Sequence, residues 1–175
     1  MGMKGVIISN PPACNKSLTQ QLGGFDPNPL YSPMQWSYDT LSLVNTSDCN
    51  IRVRPEFVIA HDSLAIVAND LVLKWYNPYT GAWPDIPYYI NGNGHAVGFW
   101  SSSGNDTTGQ DLNQGVTQEI IIKVKFWPSA NYGSYAANWT TKEVDLNGNI
   151  IQTLATGDST ILSLVDCSNF GVDSS

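Results

Sequence analysis

The segment Thr117–Phe126, which reads TQEIIIKVKF, is the clearest strand in the sequence, and the fold class follows from it. Its apolar side chains recur at every second position, at Ile120, Ile122, Val124 and Phe126. The positions between them hold Ile121, Lys123 and Lys125. Because side chains of a strand alternate between the two faces of a sheet, this spacing predicts a strand with one apolar face.

The chain on either side of this segment repeats a pattern of strand, turn and strand. Short apolar runs occur at 40–44, 49–54, 57–60, 64–68 and 71–76. The sequence NGNG at 91–94 and the pair Asn147-Gly148 each separate two such runs, which predicts a β-hairpin at both positions. About nine short strands at regular spacing predict an all-β sandwich or barrel.

The 175 residues are predicted to form a single domain with three parts. Residues 1–38 form a Pro-rich arm that extends over the surface, because five prolines and two adjacent glycines in 10–38 exclude regular helix. Residues 39–167 form the β-sandwich core, and 168–175 form a C-terminal tail. Within the arm, the segment 4–9 could add a strand to the sheet edge of a neighbouring molecule.

The stretch 126–139, FWPSANYGSYAANW, resembles the corner between late strands of immunoglobulin-like sandwiches. The resemblance implies that Tyr135 opens the later strand and that its hydroxyl bonds back to the turn. It also implies that Trp75 is a buried tryptophan of an earlier strand. Ala137 stands two positions after the tyrosine in place of cysteine, so no disulfide between the sheets is implied. A jelly roll fits the length almost as well, and the predicted fold is an antiparallel β-sandwich of either kind.

The charge of the chain argues against two classes of partner. Only 13% of residues are charged, the net charge is −7, and the only arginines are Arg52 and Arg54. Without a cluster of Lys and Arg, binding to nucleic acid or to an anionic membrane surface is not expected. No apolar segment approaches the ~18 residues of a membrane span, and the apolar run near the N-terminus is too short for a signal peptide. We therefore expect the chain to act where it is made or to leave the cell by another route, such as lysis.

Cysteine and histidine residues do not predict a metal site. Cys14, Cys49 and Cys167 are odd in number and contain no CxxC pair, so at most one disulfide can form and three thiols are an equal alternative. His61 and His95 are too few and too far apart in sequence for a transition-metal site.

Calcium takes oxygen ligands, so the acidic loops are the candidate calcium sites. The run 145–149 begins like an EF-hand loop but lacks its glycine and glutamate, so it is interpreted as a hairpin turn. A loop site for calcium near Asp106 and Asp111, with Asn105 and Asn113, is an alternative to an ordinary polar loop. No metal and no cofactor is predicted.

Catalysis is not predicted either. His61, Asp62 and Ser63 are the residue types of a hydrolase triad, but adjacent residues cannot converge as a triad does, so a polar turn is expected. The fifteen acidic residues form no recognisable pair for glycoside hydrolysis. The chain is therefore predicted not to be an enzyme.

The segment 75–89, WYNPYTGAWPDIPYY, carries six aromatic rings in fifteen residues. Trp75 is expected to face the core, with Tyr76 facing outward and a turn following at 77–81. The candidate binding or interface residues are Tyr76, Tyr79, Trp83, Asp85 and Tyr88. Three interpretations remain: the rings pack on their own loop or on the arm, they contact another subunit, or they stack on sugar rings.

The sequence predicts a protein that works by contact. The first hypothesis is a structural or assembly protein of a virion (capsid, decoration or tail) or of a surface appendage. Its partners would be further copies of the chain or another structural subunit. The alternative is a carbohydrate-binding or adhesion module that uses the loop 75–89. Either function would place the chain on a virion or at a cell surface.

Overall fold

The computed structural model describes residues 13–25, 30–102, 107–157 and 159–166. These residues form twelve β-strands: β1 Leu18–Leu22, β2 Leu30–Tyr31, β3 Trp36–Asn45, β4 Ile51–His61, β5 Leu71–Trp75, β6 Tyr88–Ile90, β7 Ala96–Phe99, β8 Gln110–Leu112, β9 Thr117–Phe126, β10 Gly133–Val144, β11 Ile150–Thr156 and β12 Thr160–Leu164. In these ranges there is no helix with the length and apolarity that crossing a membrane would need.

Two sheets pack face to face, which confirms the predicted all-β sandwich. The four-stranded sheet has the order β1-β3-β9-β5. The larger sheet has the order β2-β12-β10-β4-β7-β6, with β11 paired to β10 and β8 paired to β4. All pairs are antiparallel except the short pair between β12 and β2. The strands β9 and β10 belong to different sheets, so the turn between them crosses from one layer to the other.

The core lies between the sheets and is built by the predicted alternation. On β9, the apolar side chains at every second position are buried, at Ile120, Ile122, Val124 and Phe126. From the other sheet, Phe57 and Trp139 pack with ring centroids 4.7 Å apart. Phe126 packs against Tyr135 across the layers at 4.4 Å. Burial of this apolar surface is the main term that stabilises the sandwich.

The corner at 126–139 has the hydrogen bond that the resemblance implied. The hydroxyl of Tyr135 donates to the carbonyl oxygen of Asn131 at 2.6 Å, and the ring is buried. Trp75 is buried too, and it packs edge-on against Trp100 with centroids 5.5 Å apart. Both predicted hairpins are present, between β6 and β7 and between β10 and β11.

Two strand predictions were wrong in detail. The runs 49–54 and 57–60 form the single strand β4, which continues through Pro55. The carbonyl of Pro55 accepts from Trp100, on the side where β8 and β7 leave a gap, so the missing N–H of proline interrupts no ladder bond. The run 64–68 is not a strand. There only Ile66 is buried, and its N–H donates to the carbonyl of Gly94.

Part of the predicted arm belongs to the sandwich. The strand β1 is an edge strand of the four-stranded sheet and pairs with β3. Ahead of it, a disulfide joins Cys14 to Cys49, with 5.9 Å between the Cα atoms, and Lys16 forms an ion pair with the buried Glu143. Closing a loop of 35 residues stabilises a fold by roughly 3–4 kcal/mol. Cys167, the segment 4–9 and the tail 168–175 lie outside the described residues.

Candidate functional site

The solvent-facing side of the four-stranded sheet, here called the outer face, carries aromatic and lysine side chains in register. These side chains take the strand positions that alternate with the buried ones, so the same spacing that builds the core also builds this face. On β3 and β9, Trp36 lies opposite Lys125 and Tyr38 lies opposite Lys123. On β5, Lys74 lies opposite Lys123 from the other side.

The loop after β5 brings a further ring to the outer face. The N–H groups of Tyr79 and Gly81 bond to the side chain and the carbonyl of Asn77, and Gly81 adopts a φ of 72°, which favours glycine. The chain then returns antiparallel to β5, and the carbonyl of Pro84 accepts from the N–H of Trp75. This return places Trp83 beside the outward side chain of Tyr76, with ring centroids 5.2 Å apart.

Lysine ammonium groups lie over the tryptophan rings of the outer face. Lys123 Nζ is 4.3 Å from the ring centroids of both Trp36 and Trp83. Lys125 Nζ is 4.7 Å from Trp36 and 4.6 Å from Trp127. Contacts therefore run from Trp83 through Lys123, Trp36 and Lys125 to Trp127, and we call these five side chains the tryptophan–lysine series. A cation over an aromatic face is attracted by the ring quadrupole, so each contact holds both partners in place.

Positive charge on this face is only partly neutralised. Lys74 Nζ pairs with Asp85 at 2.8 Å. Within the described ranges, no carboxylate forms an ion pair with Lys123 or Lys125. Partial burial lowers the pKa of Lys123, and the neighbouring charges of Lys74 and Lys125 lower it further. The ammonium groups are thus close enough to repel one another.

A groove of about 490 Å³ adjoins the outer face at the edge of β5. Its walls are the segments 68–73 and 85–88, and Trp127 stands at its rim. The hydroxyl of Tyr88 donates to the carbonyl of Leu71 at 2.5 Å across one end, and burial raises the pKa of this phenol. The groove and the outer face share Asp85 and Trp127, so a ligand on the face can extend into the groove.

The predicted site residues fall in three places. Tyr76, Trp83 and Asp85 meet on the outer face. Tyr88 lines the groove, and Tyr79 stands at the tip of the turn with 94% of its surface exposed. Sequence reasoning missed the rest of the face: Trp36, Tyr38, Lys74, Lys123, Lys125 and Trp127. The sequence did contain one signal for this face, because Lys123 and Lys125 lie at outward positions of β9, the clearest strand.

The histidine turn is structural. His61 Nδ1 accepts from the N–H groups of Ser63 and Leu64, and Nε2 donates to the carbonyl of Tyr132 at 2.8 Å. The imidazole therefore closes its own turn and holds the loop before β10. Ser63 Oγ bonds to Asp62 rather than to the imidazole, so the three residues are not arranged as a triad.

The acidic loops are also occupied by local bonds. Asp145 accepts from the side-chain amide of Asn149 and from the N–H groups of Asn149 and Asn147, as in a hairpin turn, and these bonds lower its pKa. Asp111 pairs with Arg52 at 3.0 Å, whereas Asn105 and Asp106 lie outside the described residues. The part of the chain that the structure describes contains no cluster of three or more His, Cys, Asp or Glu that could hold a metal ion.

Comparison with known proteins gives likeness in structure only. No family model and no curated protein matches the sequence. AvmM, which catalyses macrocyclization in alchivemycin A biosynthesis, is similar with a TM-score of 0.59 at 11% identity, over 87% of this chain and 90% of that one. A family 123 glycoside hydrolase from Clostridium perfringens is similar with a TM-score of 0.51 at 9% identity, over 86% of this chain and 27% of that one.

A third similar structure is the CARDB domain of a Pyrococcus furiosus protein in complex with di-metal ions. It has a TM-score of 0.41 at 12% identity, over 86% of this chain and 89% of that one. At these identities the first two likenesses show the fold and nothing finer. Two of the three are enzymes, so neither the presence nor the absence of catalysis follows from them.

Proposed function

We propose that the chain is a non-catalytic carbohydrate-binding protein that uses the outer face of its four-stranded sheet. The observation that carries the proposal is the tryptophan–lysine series. The three tryptophan rings of the series are partly exposed, and each of them contacts a lysine ammonium group of β9. Sugar rings present C–H groups on their faces and hydroxyls at their edges. Aromatic rings can contact the C–H groups of a sugar, and the ammonium and carboxylate groups beside them can form hydrogen bonds with its hydroxyls.

The adjoining groove supports the same function. Asp85 and Asn69 supply polar groups to its lining, and Leu71, Ile86 and Pro87 supply apolar surface. A few polar groups set in an apolar concave surface are the usual composition of a ligand site. Because the groove shares Asp85 and Trp127 with the outer face, we expect the site to take an oligosaccharide rather than a single sugar.

Trp83→Ala tests this proposal. The substitution removes the ring that contacts Tyr38, Tyr76 and Lys123, so we expect binding to an immobilised glycan library to be lost. Tyr89→Ala is the matched control, because this ring is also exposed but packs on Phe99 of the larger sheet. Glycan binding that survives Trp83→Ala, or that is absent from the unaltered protein, would contradict the proposal.

A subunit of a larger assembly, such as a virion or a surface appendage, is the second candidate. A specific observation favours it: the hairpin of β10 and β11 exposes the aliphatic side chains of Leu146, Ile150 and Ile151. An exposed apolar group of this kind is typical of a protein contact. The account then predicts an oligomer in light scattering that Ile151→Asp dissociates, whereas the carbohydrate-binding account needs only a monomer.

We also infer that the sandwich is immunoglobulin-like rather than a jelly roll. The corner bond from Tyr135 to Asn131 supports this assignment. The disulfide between Cys14 and Cys49 further supports a site of action in an oxidising environment, such as a cell surface or virion. Both candidate functions fit such a place.

A further inference from the structure

Positive charge is concentrated on the outer face although the whole chain is acidic. The sequence has six lysines and a net charge of −7, and three of those lysines, Lys74, Lys123 and Lys125, belong to this face. The arginines lie elsewhere, on β4 of the larger sheet. Arg52 pairs with Asp111 there, and Arg54 pairs with Glu56. The face is therefore a local basic surface in a negative field.

The strand register forces these charges together. Lys74 and Lys123 occupy directly opposite positions on β5 and β9, and like charges in such positions destabilise a sheet. Lys125 lies two residues further along the same side of β9, about 6.8 Å away along the strand. Asp85 offsets only Lys74. A bound anion would relieve the repulsion that remains between the ammonium groups.

We propose that the outer face binds acidic polysaccharides, with Lys123 and Lys125 receiving a carboxylate or sulfate group while the sugar rings lie against the parts of the flanking tryptophans that the ammonium groups leave exposed. This inference rests on the proposed carbohydrate-binding function and adds the chemical class of the ligand. The ammonium groups are already fixed over the rings of Trp36, Trp83 and Trp127, so little side-chain freedom is lost when an anion binds.

Nucleic acid fits the same face less well. A polymer with a phosphate at every nucleotide needs a long track of Lys and Arg, whereas the face offers three lysines, no arginine and the carboxylates of Asp85 and Glu119. The net charge of −7 repels a dense polyanion beyond this surface. An acidic polysaccharide carries fewer charges per unit length and exposes sugar faces between them.

The test compares glycans that differ in charge. Binding of oligogalacturonate, dextran sulfate and neutral dextran is measured by calorimetry at low and physiological salt. We expect at least one acidic glycan to bind about tenfold more tightly than neutral dextran and to weaken as salt is added. The double variant Lys123→Gln with Lys125→Gln should lose about tenfold in affinity for the acidic glycan.

Two controls separate charge from folding. Lys142→Gln removes one lysine charge on β10, in the other sheet, as Lys123→Gln alone does on the outer face, and should bind as the unaltered protein does. Lys123→Arg with Lys125→Arg keeps both cations over the rings and should retain binding. If the glutamine variant has a lowered melting temperature, the arginine variant and the salt dependence still decide the question.

Each remaining outcome is decisive. Equal binding of acidic and neutral glycans that requires Trp83 would overturn the inference and leave the proposed function in place. Absence of binding to every glycan would overturn both. Tighter binding of a single-stranded oligonucleotide than of any glycan would overturn the inference in favour of nucleic acid.

Discussion

Lys123 contributes both to the four-stranded sheet and to the outer face. Its backbone is in the middle of β9, its stem covers the outer face, and its ammonium lies over Trp36 and Trp83. Burial, together with the charges of Lys74 and Lys125, lowers the pKa of Lys123. Contact with the two rings compensates for part of the repulsion between the lysines. The residue therefore joins the stability of the sheet to the chemistry of the site.

Asp39 is the buried charge on the opposite side of the same sheet. Only 3% of its surface is exposed, and among the described residues its Oδ2 atom has no hydrogen-bond partner. Oδ1 accepts from the N–H of Thr40 at 2.7 Å. Burial raises the pKa of this carboxyl to about 6, although backbone N–H groups of Thr40, Gly24 and Gly23 act in the opposite direction.

This shift predicts how stability depends on pH. Because the pKa in the folded state lies above the usual value of 3.8, the folded protein holds the extra proton between pH 3.8 and about 6. Asp39 then costs stability progressively as pH rises through that window, by on the order of 3 kcal/mol when fully ionised. Asp39→Asn should remove this loss, so that the variant is more stable than the unaltered protein at pH 8 and nearly equal at pH 4.

Urea unfolding at several pH values checks the prediction. Asp48→Asn, which changes an exposed carboxylate that forms no ion pair with any described residue, controls for the altered net charge. A variant Asp39→Asn whose free energy of unfolding follows the same pH curve as the unaltered protein would contradict the assignment of this carboxyl.

At the scale of elements, hairpins and turns depend on glycines for two separable reasons. Gly94 has a φ of 74° in the hairpin between β6 and β7, and a Cβ there would lie 2.6 Å from Cβ of Ala65. Gly115 has a φ of 75°, but a Cβ there would have no heavy atom within 4 Å. The two positions share backbone strain and differ in available space.

Alanine substitutions at both glycines separate these causes. Gly115→Ala should lower the free energy of unfolding by about 1 kcal/mol, through backbone strain alone. Gly94→Ala should cost about 2 kcal/mol more, because the backbone and Ala65 must move apart. Chemical denaturation measures both values. Equal losses at the two sites would show that the close approach of 65 and 94 does not matter.

Elements with strict alternation or a hairpin glycine could be predicted from sequence. β9, the hairpins and the buried Trp75 follow from period two and turn chemistry alone. β1 could not be predicted, because LTQQL has no alternation and its pairing with β3 is a tertiary effect. The runs 49–54 and 57–60 were predicted as separate strands, and only the gap between β7 and β8 lets β4 continue through Pro55, which has no N–H to donate.

Only part of the candidate site could be predicted from the sequence, for a related reason. Tyr76, Trp83 and Asp85 are close in sequence, so composition drew attention to them. Trp36 and Lys125 are far apart in sequence and become neighbours only through the register of β3 and β9. Sequence predicts which residues face outward on each strand, but strand order decides which outward residues meet.

The whole molecule has two contrasting layers. The larger sheet carries the arginine pairs and the exposed aliphatic hairpin, and the smaller sheet carries the aromatic and lysine side chains. A disulfide joins Cys14 to Cys49, in the segment before β4, and an ion pair joins Lys16 to Glu143 of β10. These covalent and ionic links tie the segment before β1 to the larger sheet, while β1 itself pairs with β3 at the edge of the smaller sheet.

The six tryptophans offer the most direct test of the central claim, that the outer face binds carbohydrate. Trp36, Trp83 and Trp127 lie on the face, whereas Trp75, Trp100 and Trp139 are buried. The measurement is the indole N–H spectrum by NMR during titration with oligogalacturonate and, separately, with neutral dextran oligosaccharide. The account predicts that the three face signals shift with at least one glycan while the three buried signals stay in place. Face signals that do not move with either glycan, or a shift of all six together, would contradict it.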